Sequence, residues 1–132
     1  MNKRIREWIN FADEDLRSAN VLLKEGIFNQ ACFHSQQCVE KSLKALIESK
    51  EKVPKIHKLG DLVEFCLRLG FPIENYRTDF EFLDKFYTST QYPFIVGMLP
   101  GGLPTREDAE KSLHTANKIY DFVRRVLSEE TP

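Results

Sequence analysis

The chain has 132 residues, 42% of them hydrophobic, with 19 Lys and Arg against 20 Asp and Glu, for a net charge of -1. That length supports one domain that buries its own core without a disulfide or a metal, and the balanced charge argues against a general affinity for nucleic acid or anionic membrane. The three cysteines, Cys32, Cys38 and Cys66, lack any C-x-x-C spacing, the N-terminus carries acids where a signal peptide carries its apolar run, and no stretch approaches a membrane span, so a soluble cytoplasmic protein is expected.

Ile5, Trp8, Ile9, Ala12, Leu16, Ala19, Leu22 and Leu23 recur every three or four residues and predict an amphipathic helix ending at Gly26. A second helix is expected from Asn29, read as its N-cap, into the basic stretch before Pro54. On it Ala31, Ser35, Cys38, Ser42 and Ala45 form a seam of small side chains that lets another helix approach closely, from this chain or from a second copy. Leu59, Leu62, Val63, Cys66, Leu67 and Leu69 predict a third helix stopped by Gly70 and Pro72, and Phe80, Phe82, Leu83, Phe86 and Tyr87 a fourth. Between residues 89 and 105 the run STQYPFIVGMLPGGLPT is apolar without a period, and its side chains are expected to cap one end of the bundle or to join a partner surface. Thr105 with Asp108 resembles a capping box opening a fifth helix that carries Ala109, Leu113, Ala116, Ile119, Tyr120, Val123 and Leu127. Nothing reads as a strand. The expected fold is all-α, an antiparallel up-and-down bundle of four to five helices in a single domain over residues 1–132.

At about one hundred degrees per residue, His34, Gln37, Lys41, Lys44 and Glu48 share one side of the second helix, which fits a solvated face or a cleft wall where amides meet a base and ammonium groups a phosphate. Lys50, Lys52, Lys55, His57 and Lys58 gather at the entry to the third helix, where the free N–H groups favour an anion unless the turn is simply solvated. His34 and Cys38 have the spacing to share a metal, but no third ligand matches, so no metal and no cofactor are expected. The patterns of a P-loop, a Rossmann turn, a nucleophile elbow and a zinc-protease helix are all missing.

Three landmarks carry a family resemblance across nearly the whole chain: FNQACFHSQQCVEKSLKALIE with its glutamine pair and E-K-x-L-K-A-L, then VPKIHKLGDL, then YTSTQYP. In their order and in the helical layout the chain resembles the HEPN domain, the higher-eukaryote and prokaryote nucleotide-binding helical domain, which is similar to the substrate-binding subunit of small nucleotidyltransferases. The resemblance implies a homodimeric bundle, a nucleotide or RNA as ligand, and Gln37, Lys41, His57 and Tyr92 as contact residues, to which the polar stripe of the second helix adds Lys44. It also implies a nucleotidyltransferase partner in a toxin–antitoxin-like pair, with the catalytic carboxylates and magnesium on that partner. Gln91 stands where the family often has Arg, which removes a fork-shaped phosphate donor. RNA-cutting members of the family pair an Arg with a His across four to six intervening residues. Here seven residues separate Arg106 from His114, and Lys52 with His57 has the gap but the other cation. A non-catalytic module is therefore expected, with a metal-independent endoribonuclease using His57 and Lys52, or a purely structural interaction domain, as the alternatives.

Overall fold

The structure, a computed structural model, describes residues 1–89 and 102–129. The described residues form five α-helices and one 3₁₀ turn, with no strand among them. They are α1 (Lys3–Lys24), α2 (Phe28–Glu48), α3 (Leu59–Arg68), the 3₁₀ turn Glu74–Tyr76, α4 (Arg77–Ser89) and α5 (Arg106–Glu129). The fold is the expected all-α bundle. No helix among the described residues is long and apolar enough to cross a membrane.

Local chemistry sets the helix ends. Asn2 caps α1, its side-chain oxygen accepting from the Ile5 N–H at 2.9 Å. At the other end Gly26 takes φ +78°, its N–H donates to the Leu23 carbonyl and that of Ile27 to Leu22 at 2.9 Å, a Schellman closure. Because that closure already places Ile27, α2 begins at Phe28 with Ile27 in the cap position and no side-chain cap, so the expected Asn29 N-cap is displaced into the first turn. Gly70 (φ +93°) ends α3 the same way, with Phe71 N–H on the Cys66 carbonyl at 3.1 Å. Nothing lies within 4 Å of where a Cβ would stand on Gly70, so Gly70→Ala should lose about 1–2 kcal/mol by backbone conformation alone, measurable as a lower midpoint in urea. The capping box at α5 is present: Asp108 N–H donates to Thr105 Oγ1 at 3.1 Å and Thr105 N–H to the Asp108 carboxylate at 3.0 Å.

The core is built around α2, with Leu43, Leu46 and Ile47 fully buried against Leu59, Leu62, Phe80, Leu83, Ile119 and Leu127 from the other helices. Every member of the small-residue seam, Ala31, Ser35, Cys38, Ser42 and Ala45, is fully buried within this one chain, so the close neighbour is intramolecular. The seam hydroxyls of Ser35 and Ser42 donate to carbonyls four residues back at 2.8 Å, so their burial leaves no donor unpaired. α1 runs antiparallel to α2, pairing Arg4 with Glu48 and Asp15 with His34. Along α5, Arg106 covers Phe28 and Ser112 stands by Cys32, so α2 and α5 lie side by side in the same direction. The three thiols are free and buried, and burial pushes Cys32 up to about 11 and Cys38 and Cys66 to about 12, which keeps them protonated and unreactive.

Candidate functional site

The polar side of α2 is neither a solvated face nor an open cleft wall. α1 lies along it and contributes a carboxylate, an indole and a guanidinium, so the stripe becomes a ladder of alternating charge. At its upper end Asp15, only 7% exposed, accepts from His34 Nδ1 at 2.9 Å and from Lys41 Nζ at 2.5 Å. Asp15 falls on the apolar side of α1, in step with Trp8, Ala12, Ala19 and Leu22, and an acid in that register is the sequence signal for a buried partner.

One turn further along α2 the network is deeper. Lys44 donates to Glu40 Oε2 at 3.0 Å with both side chains 6% exposed. Buried charges of this kind persist only when paired and hydrogen-bonded. Gln37 Nε2 donates to Gln36 Oε1 at 2.7 Å and approaches Glu40 Oε1 at 3.5 Å, while Lys44 Nζ stands 5.5 Å from the Trp8 ring centre. Trp8 Nε1 and Arg4 Nε both donate to Glu48, at 3.3 and 3.0 Å. His57 arrives from the connection between α2 and α3. Its Nδ1 lies 3.2 Å from Glu40 Oε2 and 3.3 Å from Lys44 Nζ, so that nitrogen donates to the carboxylate or accepts from the ammonium according to its tautomer. With 56% of its side chain exposed, His57 is where this buried network reaches the surface. Gln36 Nε2, fully buried, has no hydrogen-bond partner among the described residues.

The structure thus brings Gln37, Lys44 and His57 together around Glu40 and places Lys41 one turn away on Asp15. Tyr92 lies outside the described residues, as does most of the 89–105 segment. Lys52 is exposed in the connection between α2 and α3. Arg106 stacks on Phe28 with its guanidinium carbon 4.9 Å from the ring centre, and His114 is exposed two turns along α5.

Entry to α3 is already occupied by an anion from the chain itself. Asp84 on α4 accepts from the Leu59 and Gly60 N–H groups at 2.8 and 3.0 Å, filling the position expected to suit a phosphate. Burial pushes the Asp84 carboxyl above its ordinary value, against the pull of the two amides. The sequence hid this partner because the cap comes from 25 residues away. Asp84→Ala removes both acceptors and should cost about 1–2 kcal/mol, read as earlier loss of helicity on heating.

His34 and Cys38 do not come together as a pair of ligands. His34 is turned to Asp15, whereas Cys38 is fully buried as a thiol held near 12 by burial. No group of three or more His, Cys, Asp or Glu among the described residues is placed to hold a metal ion.

Comparison with known proteins gives this geometry its relatives. The profile described as HEPN domain matches residues 5–126. A protein of Methanocaldococcus jannaschii named "Putative toxin MJ1304" is 30% identical, the match covering 97% of this chain and 91% of that protein. The crystal structure of TT1696 from Thermus thermophilus superposes with a TM-score of 0.77 at 31% identity, covering 94% of this chain and 98% of that one. That of ST0689, described as an archaeal HEPN homologue, does so with a TM-score of 0.73 at 31% identity over 93% and 97%. A match over nearly the whole chain, in sequence and in fold together, carries the conclusion that this chain belongs to the HEPN domain family.

Proposed function

We propose that the chain is a cytoplasmic HEPN module that recognises a nucleotide or RNA without cutting it, works as a homodimer, and serves as partner or substrate-binding subunit to a minimal nucleotidyltransferase in a toxin–antitoxin-type pair. The observation that carries this reading is the network of Gln36, Gln37, Glu40, Lys44 and His57. A helix at the centre of an apolar bundle gains more stability from apolar packing than from a buried ion pair, so the network points to recognition rather than folding. Lys41 and Lys44 are already neutralised by Asp15 and Glu40, so recognition falls to hydrogen-bonding groups, Gln37 and His57 at the surface, with Tyr92 completing the set. The relative named as a toxin supports the toxin–antitoxin setting. The test is affinity capture of the tagged chain from native lysate with mass spectrometry: a stoichiometric nucleotidyltransferase subunit is the expected result, and recovery of the chain alone contradicts the partner role.

A second reading, metal-independent RNA cleavage, draws on the same exposed imidazole, because a histidine seated on a buried carboxylate is equipped to move a proton. RNA cleavage in chelator, lost in His57→Ala, would establish it in place of the non-catalytic role.

A further inference from the structure

A second histidine is held differently, away from Glu40 and His57. His34 on α2 directs Nδ1 at Asp15 Oδ1, 2.9 Å away, and the other oxygen of that buried carboxylate is taken by Lys41. The ring is fixed further by Phe33, edge-on with centroids 5.3 Å apart. A carboxylate only accepts, so in the neutral ring Nδ1 carries the hydrogen and the lone pair lies on Nε2, at the opposite edge of the imidazole. That ring, with 30% of its side chain exposed, borders an open groove of about 570 Å³ walled by Glu14, Arg17, Ser18, Val21 and Leu22. Among the described residues Arg17 pairs with Asp13, at 3.0 Å between exposed side chains, an association weak enough in water for the guanidinium to turn to a dianion. Ser18 offers a hydroxyl, and Glu14, the opposing charge on that wall, is exposed and able to point into solvent.

We propose that His34 is a phosphoryl-acceptor site, its Nε2 taking a phosphoryl group from a donor of the phosphoramidate or acyl phosphate class. The Nε2 lone pair forms the new N–P bond as the donor's P–N or P–O bond breaks, and the bonding pair leaves with the amine or the carboxylate. The Nδ1 hydrogen stays on the ring, donated to Asp15, so the step needs no oxidant, reductant or further proton. Asp15 acts through His34 and is a positioning residue.

The test uses the full chain and potassium phosphoramidate as donor, followed by phosphorus NMR and fragment mass spectrometry, with His57 and His114 as internal comparisons. The expected result is labelling at His34 Nε2 about tenfold or more faster than at the other two, abolished at that site in His34→Gln and slowed about tenfold in Asp15→Asn, as loss of an imidazole's orienting partner does elsewhere. Circular dichroism of each variant separates slowed transfer from lost structure. If Asp15→Asn unfolds, the relative rates of the three histidines in the unaltered chain decide alone. Equal labelling of the three, no labelling of His34, or undiminished labelling in a folded Asp15→Asn variant overturns the proposal.

Discussion

Lys44→Ala should destabilise the chain by about 3 kcal/mol, because it leaves a carboxylate buried without its principal partner. Glu40 is held in place by Lys44 at 3.0 Å, with His57 and Gln37 as lesser contacts, and its side chain is only 6% exposed. His57 remains beside Glu40 in the variant, which places the cost at the lower end of the range for breaking a buried pair. The companion variant, Glu40→Met with Lys44→Met, removes both charges and keeps most of the volume, so it should recover nearly all of that loss. Asp15→Ala is expected to cost less than Lys44→Ala, since the partners it strands, Lys41 and His34, have side chains 26% and 30% exposed and reach water. Urea unfolding of the four chains checks the order. A double-methionine variant as unstable as Lys44→Ala would show that the network holds the fold together through more than charge compensation.

Phe80→Ala, at about 3–5 kcal/mol, is the other large effect expected. Phe80 is 1% exposed and meets Tyr76 edge-on at 6.3 Å, while Tyr76 packs on Phe122 of α5 at 5.5 Å. The ring therefore joins the start of α4 to the core and to α5. Its loss opens a cavity where α4 must also hold Asp84 against the α3 entry, so protection of the Leu59 and Gly60 amides from hydrogen exchange should fall together with global stability. Loss of global stability with those two amides still protected would separate the core from the cap.

The helices were legible because their signals are local. Apolar spacing, Gly26, Gly70 and the Thr105–Asp108 box each act within one or two turns, and each stands in the structure where the sequence placed it. Asn29, a good cap in isolation, places the cap of α2 two residues late, because the Schellman closure at Gly26 already fixes where the chain turns. The polar stripe on α2 was found but its partners were not. Glu40 to Lys44 is an ordinary i,i+4 pair on paper, and only the packing of α1 over it, with Trp8 against the ammonium, makes it buried. Asp15 and Asp84 were missed for the same reason: each satisfies groups 19 to 26 residues away, a distance that periodicity within one helix cannot bridge.

Recognition at the Gln37–Glu40–Lys44–His57 network can be measured by calorimetric titration of purine and pyrimidine nucleotides and a short single-stranded RNA into the unaltered chain, Gln37→Ala and His57→Ala. Saturable binding to the unaltered chain is expected, weakened about tenfold in each variant by loss of a hydrogen bond, with helicity retained. Binding that both variants leave unchanged, or no binding by the unaltered chain, would contradict recognition there.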